Sequence, residues 1–387
     1  MSALSRLFRS TFSAAAAAAA STSVSETENA IVRSFSNEIF RERSLKRVVE
    51  KFKKASENDR FRTKTAIYKD TVRRLAAAKK FRYVVEIIEN QKQYQDMSKE
   101  GFNARLISLY GTSGMFDNAR KVFDEMLERK CAQTVLSFNA LLGACVNSKK
   151  FDEVDGLFRG LSEELGIEPD LVSYNTVMRA FCEMGSLDSA VSLLDEMEKK
   201  GLKPDLITFN TILNGLYASG RFDDGERTWQ RMKEYNVKPD GRSYNEKLLG
   251  LALEKRMKDA AKVVEEMKSE GIGFDIFSYN ALIRGFVNED DLEKAKGWYS
   301  EIRKTDCKPD KLTFKTLIPF VVEKGDVAFA FDLCKDVLSS KLAVKEALIQ
   351  PVLDALAKES KINEAKELVE LSKARRSDSL KLTLPSI

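Results

Sequence analysis

The sequence contains no histidine. That absence removes the imidazole general base, the Ser-His-Asp and Cys-His nucleophile pairs, and any His/Cys/Cys zinc deaminase centre. Cysteine is scarce and badly spaced for chemistry. The five thiols, Cys131, Cys145, Cys182, Cys307 and Cys334, are odd in number and form no Cys-x-x-Cys pair, so neither a zinc cage nor a disulfide framework follows. Cys145 and Cys182 fall in apolar stripes and read as small buried hydrophobes. There is no glycine-rich phosphate loop of either common type, and no apolar run long enough to span a bilayer. Acids are plentiful, but they sit on periodic helix surfaces, the pattern of solvated faces rather than of a carboxylate-only metal nuclease. An enzyme is therefore not expected, nor a cofactor, a metal, a small-molecule substrate or a membrane partner.

What is present is a repeat. Residues 171–205 read LVSYNTVMRAFCEMGSLDSAVSLLDEMEKKGLKPD, and 206–240 and 276–310 repeat the pattern at the same length of thirty-five. Three columns carry it: Asn139, Asn175, Asn210, Asn245 and Asn280; Asp170, Asp205, Asp240, Asp275 and Asp310; and Pro169, Pro204, Pro239 and Pro309, with Phe274 as the exception. The first Asn step is thirty-six residues. A fixed period of this length is the signature of a stacked repeat array. Each unit reads as two helices. Tyr174, Val177, Met178 and Phe181 form one apolar stripe, and Leu187, Ala190, Val191, Leu194 and Met197 form the next, with Gly185 breaking the pattern between them. Gly201 to Asp205 ends the second helix and opens the next unit. One such hairpin cannot bury its own apolar face, whereas stacked hairpins share a continuous core and wind into a superhelix with a concave groove.

Counting outward from the strong units gives nine: 65–99, 100–134, 135–170, 171–205, 206–240, 241–275, 276–310, 311–345 and 346–380, with a tail at 381–387. The first two and last two keep the apolar spacing but carry Lys69, Ala104, Lys315 and Gln350 in the Asn column, as the atypical end units of solenoids do.

The Tyr/Phe-Asn opening, the late Met, the Lys-Pro-Asp close and the period of thirty-five resemble the pentatricopeptide repeat (PPR) family, in its plant organellar pure-repeat class. The tetratricopeptide repeat, with its period of thirty-four and Trp-Leu-Gly opening, does not fit. The resemblance implies an all-α, right-handed superhelical solenoid of about nine helix-turn-helix repeats that binds single-stranded RNA, one base per repeat. It implies that the Asn and Asp columns form the base-reading pairs, Asn139/Asp170, Asn175/Asp205, Asn210/Asp240, Asn245/Asp275 and Asn280/Asp310, with a preference for a uracil-rich pyrimidine run. It further implies that the residue three before each Asn (Leu136, Val172, Ile207, Arg242 and Phe277) sandwiches the bases, Arg242 departing from the usual aliphatic. Read without the resemblance, Asp after Pro is a natural helix N-cap, supported by Ser173, Thr208, Ser243 or Ser278. The Asn residues are poor helix formers placed inside the first helix, which suggests amides facing the groove, each with a donor and an acceptor for a base edge. Where family members often carry lysine for phosphate, near the end of each first helix, this chain has Asn147, Glu183, Ala218, Leu253 and Asn288.

The first thirty-five residues differ in kind. They are rich in Ser and Ala, with a run of seven alanines at 14–20, and read as an organelle transit peptide. Arg33-Ser34-Phe35-Ser36 resembles a plant mitochondrial processing site, so a mature start at Ser36 and a mitochondrial matrix address are expected; Glu26 and Glu28 leave an earlier cut or a plastid address as alternatives. Residues 36–64 form a basic cap region of helical pattern. Ten Lys or Arg against five acids there, and eight against four in 65–99, leave +9, while residues 100–387 carry −5. A basic end attracts phosphate in a salt-dependent way, and Lys51, Lys53 and Lys54 are the candidate contacts. Two further readings follow: a structural PPR component of a ribonucleoprotein such as the mitochondrial ribosome, meeting ribosomal RNA and proteins, and a protein-interaction scaffold.

Overall fold

The computed structural model describes residues 29–374, 380 and 382–384, and no strand occurs among them. Most of the expected transit peptide, residues 1–28, lies outside the described residues. The remaining stretch to 35 begins a helix over 29–41. The chain forms two compact units, Met1–Met184 with Lys199–Leu202, and Gly185–Glu198 with Lys203–Ile387.

Each unit is built from antiparallel helical hairpins stacked side by side. In the first, Thr65–Ala77 pairs with Phe81–Gln91 and Glu100–Thr112 with Phe116–Glu128; Val135–Asn147 and Leu171–Met184 continue the stack. In the second, Leu206–Ala218 pairs with Phe222–Glu234, Gly241–Leu253 with Met257–Ser269, and Ile276–Asn288 with Leu292–Arg303. Two more hairpins follow, Lys311–Glu323 with Val327–Ser339 and Glu346–Lys358 with Ile362–Ala374. The apolar stripe of each helix is the reason. Phe209, Ile212, Leu213 and Leu216 are fully buried along one helix, and Trp229 and Met232 are buried on its hairpin partner. The turn inside each hairpin is closed by a residue in the left-handed region, such as Lys79 at φ 55° or Gly220 at φ 73°, which satisfies the last carbonyls of the first helix.

The thirty-six-residue unit shows where its extra residue goes. The second helix of 135–170 runs as a 3-10 turn over Phe151–Glu153, a π-helical stretch over Gly156–Leu161 and a last α turn over Ser162–Leu165. A π turn takes up one added residue without moving the flanking stripes, so the repeat register survives the insertion. Glycine permits the tightest approaches. A Cβ on Gly111 would lie 2.4 Å from the Ala144 Cα, so helices Glu100–Thr112 and Val135–Asn147 meet backbone to backbone there. No described helix is long and apolar enough to cross a membrane.

The thiols follow their surroundings. Cys145 is fully buried, whereas Cys182, expected to be buried, is half-buried. Burial pushes the Cys145, Cys182 and Cys334 thiols up to about 12, which leaves them protonated and unreactive at neutral pH. Among the described residues no cluster of Cys, Asp or Glu has the arrangement to hold a metal ion.

Candidate nucleic-acid interface

The site grows out of the helix caps. Asp205, Asp240, Asp275 and Asp310 sit in extended backbone just before the first helix of a repeat, and their carboxylates accept from the backbone N–H three residues on. Thr208, Ser243, Ser278 and Thr313 return the bond to the Asp backbone N–H, completing a capping box in each case. Asp170 and Ser173 make the same pair of bonds.

The Asn column completes these caps from the preceding repeat. Asn210 donates through Nδ2 to Asp240 Oδ1 at 3.1 Å, and the Ser243 hydroxyl donates to Asn210 Oδ1 at 2.6 Å. Asn245 bonds Asp275 at 3.0 Å and receives Ser278 at 2.5 Å. Asn280 bonds Asp310 at 3.0 Å and receives Thr313 at 2.7 Å. In the first unit Asn139 bonds Asp170 at 2.9 Å and receives Ser173 at 2.6 Å. Asn175 lies on Leu171–Met184 in the first unit, and Asp205 caps Leu206–Ala218 in the second.

The amides are thus not free groups reaching into a groove, as their helix propensity suggested. Asn210, Asn245 and Asn280 are only 5–9% exposed, and each spends one N–H and one lone pair inside the protein. Asn245 Nδ2 meets both oxygens of Asp275, at 3.0 and 3.2 Å, and a second lone pair remains on each amide oxygen. The bonds that are made fix the direction of those that are not, which is the preorganisation a reading group needs. The two functions suggested for Asp, cap and partner of Asn, are performed by the same oxygen.

Beside this polar column runs an apolar one. Leu136, Val172, Ile207, Phe277 and Leu312 are 47–64% exposed, large side chains left out of the core at one register position. Arg242 stands in the same column and is likewise exposed. Leu312 was not among the expected sandwich residues, because Lys315 in the Asn column hid its register. In the second unit the two columns meet in a cleft of about 470 Å³, lined by Arg242, Asn245, Glu246, Asp275, Phe277, Asn280, Arg284 and Leu312. Apolar walls beside fixed amides suit a planar heterocycle held by its faces and read at its edge. Burial pushes the Glu246 carboxyl above its usual range, against the opposing hydrogen bond from Asn214 and the charge of Arg242.

At the 100–134 unit the cap is made differently. Thr134 stands in the Asp column, and Glu100 accepts from the Thr134 N–H at 2.7 Å and from the Ser137 hydroxyl at 2.7 Å. Burial opposes the charge on Glu100, yet these bonds hold its pKa below the ordinary value.

The expected phosphate contacts are partly committed within the chain. Lys51 pairs with Glu42 at 2.8 Å and Lys53 with Glu86 at 3.2 Å; Lys54 is exposed. Asn147 accepts from Arg179 at 3.0 Å and Asn288 donates to the Ala252 carbonyl at 2.9 Å, so neither replaces a phosphate-binding lysine.

The caps carry a pH dependence. Burial alone would raise Asp170 and Asp240, but hydrogen bonds from Asn139 or Asn210 and from the Ser173 or Ser243 N–H hold both below the usual value. A depressed carboxyl stabilises the fold fully above its unfolded value of about 3.9 and loses that contribution as pH falls through the lower folded value. Between pH 5 and pH 2 the wild type should lose more urea stability than Asp240→Asn. Parallel loss in the two proteins would show that the Asp240 charge is not linked to folding.

The PPR repeat family profile matches at 169–218, 204–252 and 274–319, a pentatricopeptide repeat domain profile at 100–148, and a PPR repeat profile at 136–164 and 248–272. The chain belongs to the pentatricopeptide repeat family. Among PPR relatives, this chain is 54% identical over 209 residues to small ribosomal subunit protein mS78 (rPPR3a) of Arabidopsis thaliana, covering 52% of each. It is 60% identical over 159 residues to small ribosomal subunit protein mS79 (rPPR3b) of the same plant, covering 41% of this chain and 40% of that protein. The chain therefore matches about half the length, or less, of these curated relatives. A crystal structure of the maize PPR protein PPR10 with an 18-nucleotide psaJ RNA element aligns with 93% of this chain and 61% of that one, at 15% identity and a TM-score of 0.45, a likeness too distant to bear on the site.

Proposed function

We propose that this PPR protein binds single-stranded RNA in mitochondria, each repeat placing one base between exposed apolar side chains and against a fixed Asn–Asp pair. The observation that carries the reading is the register of the two columns. Exposed Leu136, Ile207 and Phe277 stand three residues before Asn139, Asn210 and Asn280, each amide locked to a carboxylate, and Arg242 stands likewise before Asn245. A solvated helix face has no reason to hold large apolar groups in water at one position. Asn with Asp favours uracil and other pyrimidines under the family pattern. On this reading the protein acts by holding RNA, with no histidine in the chain to serve as a general base.

A second reading, a component of the small subunit of the mitochondrial ribosome, is favoured by the 54% and 60% identities to mS78 and mS79. A 37% identical Arabidopsis PPR protein named as mitochondrial supports the same address. The two readings share their chemistry and differ in the RNA held. Ultraviolet crosslinking of the tagged protein in organelles, followed by sequencing of the attached RNA, separates them. Small-subunit ribosomal RNA is the expected catch for a ribosomal component, and one messenger for a free factor. Recovery of protein without RNA would overturn both in favour of a protein scaffold.

A further inference from the structure

The basic N-terminal region has the build of another repeat. Shifted by thirty-six residues, Ala30-Ile31 falls on Ala66-Ile67, and Val48-Val49-Glu50 falls on Val84-Val85-Glu86. The burial follows the same shift. Val32 and Ile39 are buried like Tyr68 and Leu75, and Val48 and Phe52 like Val84 and Ile88. Helices 29–41 and Leu45–Ala55 thus stand to the first repeat as each repeat stands to the next. Phe35 meets Phe61 edge-on at 6.4 Å, and Arg74 of the first repeat donates to the carbonyls at the end of helix 29–41, including Ile39 at 3.3 Å.

The same shift places Arg33 in the Asn column, on Lys69, and Lys64, thirty-five residues before Lys99 and directly before helix Thr65–Ala77, stands in the Asp column. Both line a cleft of about 490 Å³, together with Asn37, Phe40, Ala66 and Asp70. This cleft occupies the columns of the one lined by Asn245, Asp275 and Phe277. There an amide and a carboxylate address a base edge. Here the two positions are cations, both exposed. The carboxylate in the cleft, Asp70, is paired with Arg73 at 3.4 Å. Phe40 is 75% exposed, a single aromatic face beside the charges. The next repeat continues the exchange, with Lys69 and Lys99 in the two columns.

We propose that this N-terminal cleft is a phosphate subsite for bound RNA, with Arg33 and Lys64 on the phosphate and the adjoining base on Phe40. The proposal rests on the RNA reading above. A guanidinium and an ammonium match phosphate in charge and donors, and neither offers the acceptor that uracil's imide N–H requires. The phosphate is either a 5′-terminal monoester or an internal diester. The subsite also demands that residues 29–35 remain in the mature protein, so processing occurs before residue 29 and not at Ser36.

The test is titration of full-length protein with uridine-rich oligonucleotides bearing a 5′-phosphate or a 5′-hydroxyl, comparing wild type with Arg33→Glu/Lys64→Glu and with Phe40→Ala. Both variants alter exposed side chains, and unchanged thermal unfolding by circular dichroism verifies their folds. The double variant should bind at least ten-fold more weakly, and its log–log salt slope should flatten by roughly 1.4, the value for two contacts on a single strand. Phe40→Ala should lose several-fold with the slope intact. A 5′-phosphate preference that disappears in the double variant assigns the terminal monoester. Equal binding of both oligonucleotides by wild type, with the double variant still weaker, assigns the internal diester. Wild-type affinity and slope in the double variant would overturn the subsite while leaving RNA binding standing. Failure of the wild type to bind any RNA would overturn both. Sequencing the N-terminus of mitochondrial protein gives an independent check, and a start at Ser36 would overturn the subsite, because Arg33 is then absent.

Discussion

Replacing Tyr217 with alanine should destabilise its part of the second unit by about 3–5 kcal/mol, the range for emptying a large aromatic site in a core. Its ring is fully buried and fills a slot made by two glycines. A Cβ on Gly225 would lie 2.4 Å from the ring, and one on Gly250 would lie 2.5 Å from it. Phe222 closes the slot at 5.4 Å between ring centroids, and the hydroxyl donates to Glu226 at 2.6 Å. Glycine at both positions means that neither can supply a side chain to fill the cavity. Tyr217→Phe should cost far less, about 1 kcal/mol, since it removes only a hydrogen bond to a partly solvated carboxylate. Stability in stacked repeats is local to a repeat and its neighbours. The loss should therefore appear as faster hydrogen exchange across 206–253, with little change at 65–128. Uniform change along the chain, or a cost below 1 kcal/mol for Tyr217→Ala, would refute this account of the packing.

The second large effect is on sequence selection. Asn210/Asp240, Asn245/Asp275 and Asn280/Asp310 should select three adjacent pyrimidines, uracil foremost, from a randomised single-stranded RNA pool. A purine at one of these positions should cost roughly 1–3 kcal/mol, about five- to 150-fold. Duplex RNA should bind poorly because its base edges are already paired. Asn210→Thr should shift selection at its own base away from uracil, toward guanine under the family pattern, and leave the other two unchanged. The structure adds a second consequence. Asn210 is buried and holds both Asp240 and Ser243, so the substitution should also lower stability by about 0.5–1.5 kcal/mol. Selection should therefore be measured well below the unfolding temperature of the variant. Enrichment of no pyrimidine run, or a shift at all three bases together, would remove the Asn column from the reading and leave it a purely structural support for the caps.

The sequence by itself determined the class of fold and the start of the repeats' first helices. Both are local. An apolar stripe such as Tyr174, Val177, Met178 and Phe181 declares a helix within two turns, and Asp before Ser or Thr three residues on declares its cap. Repetition then turns a weak local signal into a strong one. Tertiary structure alone decided what depends on distant partners. The Asn amides look free in sequence because the carboxylates and hydroxyls that hold them lie 30 to 34 residues away. Lys51 and Lys53 look like phosphate ligands in a charge count, yet their acids, Glu42 and Glu86, come from nine and 33 residues away. Glu100 replaces a missing Asp at Thr134 from 34 residues away, and no cap pattern records that exchange. Residues 29–35 read as the end of a leader by composition, and composition carries no information about what they pack against in the full chain. Val32 and Phe35 acquire their packed roles only when the first repeat and Phe61 are folded beside them. Local spacing encodes which helices form; which polar and charged groups remain open to a partner depends on long-range bonds that only the packed chain makes.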